Sequence, residues 1–113
     1  MKKFNHVIVR RPCRAMVDGI TSAPELGKPD YELALKEHDA YIEALKQCDV
    51  DVTVLEADER YPDSCFVEDP ALITRECAII TNPGAESRNG EKFEIELHKA
   101  SWNVIRLCPV ADL

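Results

Sequence analysis

The sequence predicts a mixed α/β fold on three observations. Short runs rich in valine and isoleucine recur along the chain, as strands require. The stretch from residue 31 to residue 45 repeats its apolar side chains at three- and four-residue steps, as a helix requires. The elements then follow in the order strand, loop, helix, strand, and again strand, strand, helix, strand. The second set is a ββαβ unit, and the first echoes it with one strand replaced or delayed.

Phe4-Asn5-His6-Val7-Ile8-Val9 ends in three β-branched residues and reads as a buried strand closed by Arg10-Arg11-Pro12. A loop follows from Val17 to Pro29. Gly19, Pro24, Gly27 and Pro29 are too disruptive for a helix or a central strand. A loop this long in a small domain is either functional or disordered, and the functional reading is preferred. Asp30 then offers an N-cap, with Glu32 adding negative charge to the first turn. Tyr31, Ala34, Leu35, His38, Tyr41, Ile42 and Leu45 form one apolar stripe on a helix of about four turns. On that stripe a partly buried, hydrogen-bonded His38 fits better than a catalytic one. Val50-Asp51-Val52-Thr53-Val54-Leu55 alternates and reads as a strand.

Asp58–Ser64 is a polar loop around Pro62, leading into Cys65-Phe66-Val67-Glu68-Asp69-Pro70. Ala71–Thr74 and Cys77–Thr81, separated by Arg75-Glu76, read as a hairpin with a two-residue turn that lacks the glycine such turns favour. Asn82-Pro83-Gly84 ends the second strand. Glu91–Trp102 reads as a helix with Phe93, Leu97 and Ala100 on one face, and Asn103–Cys108 as a last strand stopped by Pro109. The five residues given after that strand are not expected to cover the sheet.

The length of 113 residues suits one domain. Fourteen Lys and Arg against 21 Asp and Glu leave a net charge of −7, which disfavours nucleic acid and suits a cationic small molecule. No apolar run reaches the roughly 20 residues of a membrane span, and Met1-Lys2-Lys3 has no apolar stretch behind it to make a signal peptide. Cys13, Cys48, Cys65, Cys77 and Cys108 are odd in number and lack the close spacing of a zinc or dithiol motif. Reduced thiols in a cytoplasmic protein are the expectation. His6, His38 and His98 are equally scattered, so a metal site would require tertiary proximity, and no metal is expected.

Glu68-Asp69 is the most informative pair, set between Phe66-Val67 and the apolar hairpin. Buried carboxylates are costly unless a cation is near. From pattern alone the pair has three readings: acids in water at a strand end, acids with an internal partner such as Arg75, or a cation site. Pro83-Gly84-Ala85-Glu86-Ser87-Arg88 presents an arginine whose planar fork matches a carboxylate. A surface arginine without a role is the alternative.

Five segments taken together resemble the N-terminal half of dimethylarginine dimethylaminohydrolase, a pentein-superfamily enzyme, and its bacterial members in particular. They are Val17-Asp18-Gly19-Ile20-Thr21, Leu26-Gly27-Lys28-Pro29-Asp30-Tyr31, Asp58-Glu59-Arg60-Tyr61-Pro62-Asp63-Ser64, Phe66-Val67-Glu68-Asp69 and Asn82-Pro83-Gly84-Ala85-Glu86-Ser87-Arg88. They occur in the family's order across nearly the whole chain, and two such blocks at this separation are far more specific than one short motif.

The resemblance implies a pentein-type α/β propeller, with about two of its five ββαβ modules in residues 1–113. It implies that Asp69 pairs with a substrate guanidinium, that Glu68 lines and orders the same pocket, and that Phe66 packs beside it. Arg88 would clamp the α-carboxylate, and Asp63 with the backbone at Ile20 would receive the α-amino group. Gly19-Ile20-Thr21 would form a flap. The implied reaction converts Nω-methylated arginine and water to citrulline and an amine, through cysteine attack assisted by histidine, without metal or organic cofactor. None of the five cysteines or three histidines matches the family's nucleophile or acid, which are expected beyond Leu113. The chain alone is therefore expected to be inactive, and to need the remaining half or another copy of itself to cover its sheet edges and apolar faces. Arginine deiminase, agmatine deiminase and amidinotransferase are related alternatives, with Arg88 disfavouring agmatine. A non-catalytic guanidino-binding or interaction module is an alternative of another class.

Overall fold

A computed structural model of the chain describes residues 5–97 and 104–106. It divides into two compact units, Met1–Cys65 and Phe66–Leu113. Among the described residues no helix is long and apolar enough to cross a membrane.

In the first unit, strands β1 (His6–Arg10) and β2 (Asp51–Leu55) pair in parallel, with His6 opposite Asp51 and Arg10 opposite Leu55. A parallel pair needs a crossover, and helix α1 (Tyr31–Gln47) provides it. Asp30 caps α1 as expected, its Oδ1 accepting the Leu33 N–H at 3.0 Å. Val9, Cys13, Ile42 and Leu55 form the buried core. Strand β1 includes Arg10, which the sequence reading placed outside it. Its buried guanidinium donates to the Glu56 carbonyl at 2.7 Å, so the charge enters the interior with an acceptor.

Three local expectations for this unit need correction. Within the loop read as non-helical, Pro24–Leu26 forms one 3₁₀ turn, and a second, Arg14–Asp18, begins before that loop and overlaps only its first two residues. A proline starts the first of these without losing a needed N–H, and Gly27 at φ +81° stops it. Tyr41 is 54% exposed, because it lies at the edge of the apolar stripe, with its ring edge-on to His38. His38 is half-buried, but its buried Nδ1 has no hydrogen-bond partner among the described residues.

In the second unit, β3 (Ala71–Ile73) pairs antiparallel with β4 (Ala78–Ile80), which pairs in parallel with β5 (Val104–Arg106). A 3₁₀ segment (Glu86–Glu91) and helix α2 (Lys92–Leu97) lie between β4 and β5 in the chain. This is the expected ββαβ order. Pro70, Ala71, Ala78, Ile80 and Ile95 are buried.

The missing hairpin glycine is replaced by chemistry at Thr74. Its N–H donates to the Cys77 carbonyl at 2.9 Å, and its hydroxyl accepts from Cys77 N at 3.1 Å and Glu76 N at 3.3 Å. The predicted second helix begins one residue late, because Glu91 closes the 3₁₀ segment. Phe93, expected on the apolar face, is exposed, and Ile95, one turn after the buried Glu91, faces the core. The expected helix beyond Leu97, and residues 103, 107 and 108 of the last strand, lie outside the described residues.

Candidate functional site

The first unit arranges its candidate residues around the turn from Asp58 to Ser64. Asp58 accepts from Arg60 N at 3.1 Å, Nε at 2.9 Å and Nη2 at 2.7 Å, and these bonds hold its carboxyl below the usual range. Glu59 reaches back to Arg14 N at 2.9 Å and Ala15 N at 3.0 Å, satisfying open donors at the start of the 3₁₀ turn. Asp63 Oδ2 accepts the Ile20 N–H at 3.1 Å. The turn's carboxylates thus pin the 14–20 segment at both ends.

Gly19 lets Asp63 approach this closely. A Cβ at position 19 would stand 2.5 Å from Asp63 Oδ1. Asp63 and the backbone of Ile20, two residues expected to act on one ammonium group, are therefore neighbours. Ile20 and Thr21 are exposed, and the Thr21 hydroxyl accepts from Ala23 N at 3.0 Å. The same unit holds Cys13, whose thiol is pushed up by burial and by nearby Glu59. Such a thiol is no nucleophile at neutral pH.

The second unit brings Phe66, Asp69 and Arg88 together. Arg88 donates from Nη1 to Asp69 Oδ2 and from Nη2 to the Phe66 carbonyl at 3.0 Å. Its other edge is held side-on by Glu91, with Nε to Oε1 at 3.0 Å and Nη2 to Oε2 at 2.8 Å. The side chains of Arg88 and Glu91 are 13% and 3% exposed, whereas that of Asp69 is 52% exposed. Hydrogen bonding to Glu91, then to Asp69, drives the Arg88 pKa upward against burial, so the guanidinium stays charged.

Of the three sequence readings for Asp69, the structure thus supplies an internal cation, but it is Arg88 rather than Arg75. Glu68 is exposed and makes no hydrogen bond or ion pair with the described residues, and the Phe66 ring is half exposed. Chemically, the cluster offers one accessible carboxylate, that of Asp69, and a charged fork, that of Arg88.

Glu91 was missed by sequence reasoning. Its signal was the opposite charge three residues after Arg88, a spacing that brings side chains together on a helical turn. Glu59 carried no such signal among many acids. Among the described residues, no group of three or more histidine, cysteine or acidic side chains is placed to hold a metal ion.

Residues 25–105 match the family model described as "N,N dimethylarginine dimethylhydrolase, eukaryotic". Among curated relatives, the N(G),N(G)-dimethylarginine dimethylaminohydrolase of Pseudomonas aeruginosa is 63% identical over 93 residues, covering 82% of this chain and 36% of the relative. The enzyme of that name from Streptomyces coelicolor is 40% identical over 89 residues, covering 79% and 34%. The chain thus spans about a third of the length of these relatives.

Among solved structures, a citrulline complex of a cysteine-to-serine mutant of the Pseudomonas aeruginosa enzyme superposes with a TM-score of 0.90 at 55% identity. It covers 95% of this chain and 43% of that one. The N-terminal domain of a cyanobacterial arginine dihydrolase aligns with a TM-score of 0.77 at 18% identity over 94% of this chain and 40% of that one, a likeness of α/β fold alone. A family model matched over most of the sequence, and relatives this similar, place the chain in the dimethylarginine dimethylaminohydrolase family.

Proposed function

We propose that the chain is the substrate-binding N-terminal part of an enzyme that hydrolyses Nω-methylated arginine to citrulline and a methylated amine. In this reading it contributes about two ββαβ modules to a five-module pentein propeller. The protein acts in the cytoplasm, and the rest of the propeller, or a second copy of the chain, covers its open sheet edges. Asp69 and Glu68 receive the guanidinium beside the Phe66 ring, Arg88 receives the α-carboxylate, and Asp63 with the Ile20 backbone receives the ammonium group under the Gly19-Ile20-Thr21 flap. The thiolate that attacks the guanidinium carbon, and the histidine that protonates the departing amine and then activates water, are assigned to no residue of this chain.

What supports the reading is the juxtaposition of Asp69 and Arg88, opposite charges in direct contact, in a chain of this family. Binding would exchange that one ion pair for two, with Asp69 taking the ligand's cation and Arg88 its anion. Each charge then keeps a partner, which is why a ligand carrying both ends suits the cluster better than one carrying a single end.

Calorimetric titration with Nω,Nω-dimethylarginine tests the binding roles. Asp69→Asn and Arg88→Lys should each weaken binding by about tenfold or more, since the first loses charge and the second loses the fork. If neither weakens it, the site assignment is wrong. Citrulline release by the full-length gene product, compared between dimethylarginine and arginine, tests the reaction. Preference for arginine would reassign it as a deiminase.

A further inference from the structure

We propose that Glu91 is a positioning residue for ligand selection: its buried carboxylate holds Arg88 in place and so sets the preference for a ligand that carries an α-carboxylate. The inference rests on the reading of Arg88 given under the proposed function, and it assigns a role to a residue outside the five segments of family resemblance.

The geometry carries it. Glu91 binds the Nε–Nη2 edge of Arg88 side-on through both oxygens, at 3.0 and 2.8 Å. That arrangement fixes the plane as well as the position of the guanidinium. The Glu91 side chain is 3% exposed, so moving Arg88 away would leave a buried carboxylate without its partner. Arg88 therefore cannot follow a ligand, and an incoming anion must come to its Nη1 side, where Asp69 sits.

Without Glu91, the long Arg88 side chain would be free to swing onto Asp69 with both terminal nitrogens. It would then serve only as that acid's counter-ion. Glu91 thus keeps the Arg88 fork from being taken up by Asp69 and leaves it available to a ligand's carboxylate. The pKa of Arg88, raised chiefly by its hydrogen bonds to Glu91, agrees with a guanidinium that stays charged beside it.

The test uses the full-length gene product with Nω,Nω-dimethylarginine and its decarboxylated counterpart, Nω,Nω-dimethylagmatine. Glu91→Gln removes the charge and turns one acceptor into a donor facing Arg88. It should raise KM for dimethylarginine by about tenfold while kcat stays within about twofold, and leave the decarboxylated compound unaffected. Glu91→Asp keeps the charge and should recover most of the loss.

Equal losses on both compounds, or a Glu91→Asp variant no better than Glu91→Gln, would overturn the role and leave Glu91 a packing residue. Should Glu91→Gln fail to fold, Glu91→Asp is compared with wild type. A KM rise confined to dimethylarginine supports the proposal, and a rise shared by both compounds overturns it. If wild type hydrolyses neither compound, the proposed reaction fails. The Glu91 role is then read from calorimetric binding of citrulline against decarboxylated citrulline, where the same loss of discrimination is expected and its absence overturns the role.

Discussion

Gly19→Ala sets two physical effects against each other. Gly19 adopts φ −65° and ψ 169°, which any residue accepts. On backbone grounds alone, alanine should stabilise the fold by about 0.4–1 kcal/mol, because it stiffens the unfolded chain. The space around it reverses that sign. The new methyl carbon would lie 2.5 Å from Asp63 Oδ1, 3.2 Å from Asp63 Cγ and 3.1 Å from the Met16 carbonyl oxygen. Asp63 has to rotate away, and the bond its Oδ2 accepts from Ile20 N at 3.1 Å goes with it.

A hydrogen bond to a charged acceptor contributes about 1.5–3 kcal/mol, with exposed sites at the low end. The net expectation is a loss of about 1 kcal/mol, read as a lower urea midpoint. In an Asp63→Ala background the nearest obstacle is gone and only the Met16 carbonyl at 3.1 Å remains, so Gly19→Ala should cost clearly less. A double-mutant cycle should therefore give a coupling of about 1–2 kcal/mol. Gly84→Ala is the control: its Cβ meets nothing within 4 Å, and no loss is expected. If Gly19→Ala costs as much without the Asp63 carboxylate as with it, the steric reasoning is refuted.

Asp30→Ala removes the cap on α1 and should lower stability by about 1 kcal/mol, measured by the same urea titration. Thr74→Val deletes the hydroxyl that closes the β3–β4 hairpin, so hydrogen exchange at the Cys77 amide should quicken more than at Val52 in β2. For His38, burial and then the nearby Arg11 charge hold the imidazole below its usual pKa. The unfolded chain therefore takes up a proton first as pH falls below about 6.5. Stability should stay level above about pH 6.5 and decline from there down to the folded-state pKa, and His38→Leu should flatten that decline between pH 7 and 5.

What the sequence disclosed follows from the range of the forces involved. Helix α1 was legible because its stripe and Asp30 cap are set by residues three and four apart. The ββαβ order was legible because strand runs and breakers are local too. The 3₁₀ turn at Arg14–Asp18 was not, since Glu59 and Asp63 stabilise the 14–20 segment from more than 40 positions away. Phe93 was misplaced for the same kind of reason. Its apparent apolar face ignored the buried Glu91, whose partner and burial set the phase of α2. At the site, charge type was readable for Asp69 and Arg88, but their mutual pairing was not, because sequence carries no record of burial.

The two clusters are built on different physical terms, and this bears on what each can recognise. In the first unit, carboxylates of the 58–63 turn satisfy backbone N–H groups, so the chain path itself determines where Asp63 points. In the second, side chains hold side chains, and charge balance determines the outcome. Glu91 and Arg88 offset each other in the interior, while Glu68 and Asp69 remain exposed. Among the described residues Asp69 and Glu91 share the Arg88 guanidinium, two acids to one base. An incoming cation meets acids that are accessible and underneutralised, whereas an incoming anion must displace Asp69 from Arg88. Recognition of the cationic end should therefore be the stronger interaction, and that of the anionic end the more discriminating one, since it succeeds only when the displaced acid has a new partner.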